Sequence, residues 1–225
     1  MFWKLYDLAW WLAKPRINPE RFCTNYPRRS IWIHAASVGE LQVAMPLLTK
    51  IPEPLFTVTS KNGLAALAKR EIKGYLLPAD TTECVKKALE QIDPKFILFV
   101  ESEFWPNLAR QIIQNGYPYG ILNFKISNSF LNSPLYFFKK GFWEHARFLF
   151  VQNQQTADIL SKFGVRNCEI TGNLKLALVP RIEHHFVDQL KQLKTRFPRL
   201  ISVASLRKGE EAVLGPVIKR LADEI

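Results

Sequence analysis

Residues 31–40, IWIHAASVGE, open on an apolar run, pass through small residues and Gly39, and arrive at Glu40. This is the grammar of a buried strand feeding a tight turn and a helix start. From Ser30 onward the alternation repeats, with strands expected at IWIHA (31–35), LFTVT (55–59), GYLLP (74–78), FILFVE (96–101), PYGILNF (118–124), RFLFVQ (147–152) and CEIT (168–171). Short apolar runs separated by longer amphipathic segments imply an α/β fold, a mostly parallel sheet in one Rossmann-like domain. Asp80 is expected to cap the helix TTECVKKALEQI, with Glu83 three residues on to complete a capping box. The next helix should start at Pro106, behind Trp105, and stop near Asn115-Gly116. Residues 127–143, SNSFLNSPLYFFKKGFW, read as a surface loop with one helix.

Beyond TGNLKLALVP (171–180) the pattern changes. A polar, basic helix over 181–197, a strand LISVAS over 200–205 and a helical stretch over 206–225 look like a linker and the first β-α unit of a second domain. So small a piece buries no core of its own, so it stops short, packs on the first domain or borrows a partner. The organisation expected is therefore an amino-terminal amphipathic segment (1–29), a Rossmann-like domain (30–175) and a linker with the beginning of a second domain (176–225).

Bulk properties narrow the class. With 225 residues, 48% hydrophobic and 12% aromatic, the chain is a globular protein rather than a disordered one. Cys23, Cys84 and Cys168 stand far apart without a C-x-x-C pair, which favours a reducing, cytoplasmic setting over a disulfide framework or zinc ribbon. Thirty-one Lys and Arg against twenty Asp and Glu give +11, which favours a polyanionic partner. No aromatic-basic RNA-binding signature or helix-turn-helix cue is present, so nucleic acid is not the expected one.

Residues 1–13, MFWKLYDLAWWLA, are too short to span a bilayer, which takes about 20 apolar residues. Trp3, Tyr6, Trp10 and Trp11 suit a lipid–water interface, and the basic cluster Lys14, Arg16, Arg21, Arg28 and Arg29 suits anionic headgroups. A peripheral anchor is one reading of this segment, and a terminal helix docked on its own domain is the other.

Three junctions carry candidate chemistry. In HAASVGE (34–40), Glu40 starts a helix at the carboxyl end of a strand, where open α/β sheets bind ligands. It is either a general base for a hydroxyl, held ionised by the helix terminus, or an ordinary first-turn carboxylate. In FVESEFWPN (99–107), Glu101 and Glu103 alternate around Ser102, so in a continued strand they would face opposite ways. Trp105 either stacks on a sugar ring or packs in the core. No Asp-x-Asp or His cluster accompanies the pair, so no metal is expected. GNLK (172–175) and ASLRKGEE (204–211) offer cations and backbone N–H groups suited to a phosphate, although solvated basic faces look the same. His34 reads as a satisfied residue beside the first junction, and the pair His184-His185 as exposed.

Taken in order, IWIHAASVGE, LLPAD, FVESEFWPN, ILNFKIS (121–127), FVQNQQTADILSKFGV (150–165), TGNLK and ASLRKGEE resemble the landmarks of the Kdo (3-deoxy-D-manno-octulosonic acid) transferases. The resemblance implies an inverting, metal-independent GT-B glycosyltransferase of lipopolysaccharide biosynthesis at the cytoplasmic face of the inner membrane. Its first domain would bind a lipid A precursor (lipid IVA) and its second CMP-Kdo, with no further cofactor. It implies Glu40 as the general base, with Glu103, favoured over Glu101, as the other essential carboxylate. Ser37, Gly39, Lys125 and Ser127 would serve the acceptor, and Asn173, Lys175, Ser205, Gly209 and Glu210 the donor.

Departures are visible. TSKNG (59–63) replaces a Thr-rich stretch, Lys125 stands where Arg is usual, and Ala204-Ser205 and Arg207 replace Gly-Ser and a His. Family members are considerably longer, so a missing donor-domain segment or chain is an expected partner. The alternative is a truncated, non-catalytic peripheral membrane protein that binds the lipid acceptor.

Overall fold

In the computed structural model, residues 2–14, 17–126, 136–177, 184–197, 201 and 203–224 are described. The chain divides into two compact units, residues 1–178 and 179–225. The first holds α1 (Phe2–Ala13), α2 (Glu20–Cys23), β1 (Ile31–His34), α3 (Val38–Ala44), β2 (Leu55–Val58), α4 (Lys61–Ala68), β3 (Gly74–Leu76), α5 (Thr82–Ile92) and β4 (Phe96–Val100). It continues through α6 (Pro106–Gln114), β5 (Tyr119–Phe124), α7 (Tyr136–Glu144), β6 (Leu149–Val151), α8 (Gln154–Lys162), β7 (Cys168–Ile170) and a 3-10 turn over Leu174–Ala177.

All strand pairs are parallel, in the order β3-β2-β1-β4-β5-β6-β7. Such a sheet is buried on both faces, which is why its strands read as unbroken apolar runs. Alternate residues serve opposite layers. Ile97 and Phe99 join Trp32, Tyr119 and the apolar sides of α5, α6 and α8, while Leu98 and Val100 join Ile33, Phe56 and the apolar sides of α3 and α4. Right-handed crossovers put α3 and α4 on one face, and the return crossover through α5 puts later helices on the other. The winding direction therefore reverses between β1 and β4.

Helix starts show where local and tertiary signals part. Thr81, not Asp80, caps α5, accepting from the Cys84 N–H. Asp80 is buried and turns instead to the next helix, accepting from the N–H groups of Asn107 (3.0 Å) and Leu108 (2.9 Å) at the start of α6, and from the Tyr6 hydroxyl (2.9 Å). A threonine beside it suffices for the local cap, and only a carboxylate can serve two N–H groups and a hydroxyl at once. As expected from Pro106, α6 starts there, and it gives way at Asn115 to Gly116 at φ +70°.

The segment 1–29 belongs to the same unit. Asp7 accepts from the N–H (2.9 Å) and hydroxyl (2.6 Å) of Thr82 and from Asn107 Nδ2 (2.8 Å), and Tyr26 lies in the core with its hydroxyl on the Leu76 carbonyl. Of the aromatics read as interfacial, Tyr6 and Trp10 face the domain, and Trp3 lies under the Arg110 guanidinium. Three of these four aromatics are thus taken up by packing, while Trp11 stays on the outward face with Leu5, Leu8 and Leu12, 49–65% exposed. No helix of the described residues is long and apolar enough to cross a membrane.

The second unit contains α9 (His184–Arg196) and α10 (Glu211–Glu224). The strand expected over 200–205 is not formed at its described residues 201 and 203–205. A strand needs a hydrogen-bonded neighbour, and none stands beside this one among the described residues. The expected loop at 127–135 lies outside the described residues, whereas its helix is α7.

Candidate active site

The reversal between β1 and β4 brings two loops together at the carboxyl edge of the sheet, the position at which open α/β sheets bind ligands. From β1 the chain turns through Ala35 and Ala36 into Ser37, the N-cap of α3. Ser37 Oγ accepts from the Glu40 N–H (3.2 Å) and donates to Glu40 Oε1 (2.9 Å). Glu40 Oε2 accepts from the Ala36 N–H (2.7 Å), so the capping box closes one residue further back than usual. Each carboxylate oxygen keeps acceptor capacity for an incoming hydroxyl.

The second loop follows β4. The strand ends at Val100, and Glu101 turns away at φ +64°, in the left-handed region that non-glycine residues adopt only under tertiary constraint. The alternation expected of Glu101 and Glu103 therefore does not apply, and both carboxylates lie within electrostatic reach of Glu40. Glu101 Oε1 accepts from Asn123 Nδ2 (3.1 Å) and pairs with Lys175 Nζ. That ammonium also lies against the start of α3, for a β-carbon on Gly39 would sit 3.7 Å from it.

Asn123 organises this corner. It is fully buried, holds φ +56° where the β5–β6 register shifts, and accepts at Oδ1 from the Leu174 N–H (2.9 Å). Gln152 Nε2 donates to its carbonyl (2.9 Å). One amide thus joins the Glu101 turn to the segment that carries Lys175. Asn173 closes that segment locally, accepting from the Lys175 N–H at 3.1 Å.

Burial pushes the Glu40 carboxyl above its usual value, Glu101 adds to the rise, and the Ala36 N–H, the Ser37 hydroxyl and Lys175 oppose it. The helix terminus alone was expected to hold Glu40 ionised. With the residue 8% exposed, lost hydration outweighs those donors. Glu103 is raised for the same first reason and then by Glu40 and Glu101, with the Trp105 indole and Arg21 working the other way. Among the described residues no three His, Cys, Asp or Glu side chains gather in a metal-holding set.

Other expected residues fall elsewhere. Lys125 is exposed, and its carbonyl accepts from the Ser102 hydroxyl. Ser127 lies outside the described residues. Ser205 (φ +61°), Gly209 (φ +98°) and Glu210 are in the second unit. There the N–H groups of Arg207 and Gly209 are taken by the carboxylates of Glu210 (2.9 Å) and Glu211 (2.7 Å), the two acids that follow the loop itself. His34 is only half satisfied: Nδ1 sits 3.0 Å from the Thr57 hydroxyl, while buried Nε2 has no hydrogen-bond partner among the described residues. Burial brings its pKa down to about 3. Sequence reasoning missed Asn123 and Gln152, whose signal was a polar amide at the end of each of two apolar runs, ILNF and FVQ.

Comparison with known proteins agrees with this architecture. The chain resembles UDP-N-acetylglucosamine 2-epimerase structures at the level of fold: one gives a TM-score of 0.54 at 13% identity, covering 76% of this chain and 62% of the other. Another, from Neisseria meningitidis, gives 0.50 at 14% identity, covering 76% and 55%. Both support a Rossmann-like domain of the GT-B type. Among curated proteins, 3-deoxy-D-manno-octulosonic acid transferases from Haemophilus influenzae (25% identity, 84% of this chain and 47% of the relative) and Rickettsia bellii (28%, 92% and 53%) are similar to it. The chain thus spans about half the length of the curated relatives it matches. Residues 15–178 match the family model described as 3-deoxy-D-manno-octulosonic-acid transferase (kdotransferase), and the chain belongs to that family.

Proposed function

We propose that this chain supplies the acceptor-binding domain and catalytic base of an inverting glycosyltransferase that moves Kdo from CMP-Kdo to a lipid A precursor, lipid IVA, in lipopolysaccharide synthesis. The observation that carries the reading is Glu40, held at the sheet's reversal point with both oxygens aligned by Ala36 and Ser37. A carboxylate raised by burial is a stronger base than one in water. In the proposed step Glu40 takes the proton of the acceptor hydroxyl as its oxygen attacks the anomeric carbon of Kdo. The bond to CMP breaks on the opposite face, and the CMP phosphate leaves with the electron pair.

Lys175, between Glu101 and the start of α3, supplies positive charge beside this centre. Ser37, Gly39, Lys125 and Ser127 would shape the acceptor side, and Asn173, Lys175, Ser205, Gly209 and Glu210 the donor side, completed by a further donor-domain segment or chain. No metal or other cofactor takes part in this proposal. The outward face of α1, with Leu5, Leu8, Trp11 and Leu12 flanked by Lys4 and Lys14, would rest on the anionic inner leaflet from the cytoplasmic side.

The test is to incubate the protein, together with the donor-domain segment or chain that completes it, with CMP-Kdo and lipid A precursor and follow Kdo-lipid by mass spectrometry. Product is expected, falling by about 10²- to 10⁴-fold in Glu40→Gln, which keeps the capping geometry but removes the base. Absence of product with retained binding to precursor vesicles would instead make the chain an acceptor-binding protein without transfer.

A further inference from the structure

Arg21 was counted among surface cations on the sequence, yet it is 9% exposed. Its Nε donates to the Leu77 carbonyl (2.9 Å) and its Nη2 to the Pro78 carbonyl (3.2 Å), just past β3. The guanidinium lies 5.3 Å from the Trp10 ring and 5.0 Å from the Trp105 ring, whose centroids are 6.2 Å apart. Among the described residues it makes no salt bridge. A buried cation held only by carbonyls and two indole faces is an arrangement suited to arginine, whose flat, weakly hydrated fork can donate in its plane and stack at once.

The position of this stack gives it a use. Trp105 is two residues from Glu103 in the loop between β4 and α6, and its ring carries Arg21 and, through Trp10, helix α1. We propose that Arg21 is a positioning residue for Glu103: clamped between Trp10 and Trp105, it fixes the indole that stands two residues beyond Glu103 in the same loop and so holds the turn that carries this carboxylate. The amino-terminal helix is then part of the support of the carboxylate cluster. The inference rests on the functional reading above only for what Glu103 does, since the clamp itself is a matter of geometry. The charged groups acting on Glu103 are Glu40 on α3, Glu101 on its own turn with partner Lys175, and Arg21 on α2, while Tyr26, Asp80 and Tyr6 act on Arg21.

The test is a carboxyl titration of the 225-residue protein by carbon-13 NMR without donor or acceptor, with the Glu103 signal identified by its loss in Glu103→Gln. Arg21→Gln is expected to raise the Glu103 midpoint, by roughly threefold in proton affinity, the size of a nearby charge removed from a half-buried site. Arg21→Lys, which keeps the charge but cannot stack between the two indoles, should return only part of that shift. Should Arg21→Gln fail to fold, Trp10→Leu takes its place, with a smaller shift in the same direction. An unchanged Glu103 midpoint in the folded variant, or a shift in Arg21→Lys as large as in Arg21→Gln, overturns the proposal. Transfer activity does not enter this readout, so the two readings fail separately.

Discussion

Asn123 holds the site together from a position that no motif search would select. Its amide donates to Glu101 and accepts from Leu174, and its backbone stands in the left-handed region, which Asn tolerates better than most residues. Asn123→Ala removes both bonds and leaves the half-buried Glu101 carboxylate and Leu174 N–H short of partners, so a loss of about 1–3 kcal/mol is expected in urea unfolding. His34 makes a pH-dependent contribution. Its pKa is held near 3 in the folded state against 6.5 when unfolded, so below pH 6.5 the unfolded chain binds the extra proton. Stability attributable to His34 is full above pH 6.5 and drains as pH falls toward 3, by about 2 kcal/mol at pH 5. Unfolding midpoints measured from pH 7.5 to 5 should show this slope, and His34→Gln should flatten it.

Element by element, the reading from sequence succeeded where the signal was local or periodic. Seven apolar runs became seven strands with ends displaced by a residue or two, because a parallel strand buried on both faces announces itself by composition. What stayed hidden was set by neighbours distant in the chain. FILFVE does not continue as a strand through Glu101, because that residue's turn is fixed by Asn123 and Lys175, 22 and 74 positions away. Asp80 looked like the cap of α5 and serves α6, for the same kind of reason. Asp80→Ala should therefore destabilise by about 2–4 kcal/mol in urea unfolding, since two helix N–H groups and a tyrosine hydroxyl lose their acceptor. Thr81→Ala, the local cap, should cost about 1 kcal/mol. Close packing of β5 gives a third check. A β-carbon on Gly120 would stand 2.3 Å from the Phe148 ring, so Gly120→Ala should lose about 1–3 kcal/mol by the same measurement.

Across the chain, both buried apolar clusters lie within the first unit, between Tyr26 and Val165. The second unit shows Phe186, Leu190, Leu193, Val213 and Val217 at 42–71% exposure, a composition that foretold helices but not what covers them.

Asp80 also bears on the order of events. Its bonds reach Tyr6, 74 residues away, and Asn107 and Leu108, 27 and 28 residues away, while Asp7 spans 75 and 100 residues to Thr82 and Asn107. Nothing for α1 to dock on exists until the end of β3 and the start of α6 have met. Helix α1 is thus among the last elements to find its place, and Tyr6→Phe should speed unfolding while leaving the refolding rate nearly untouched.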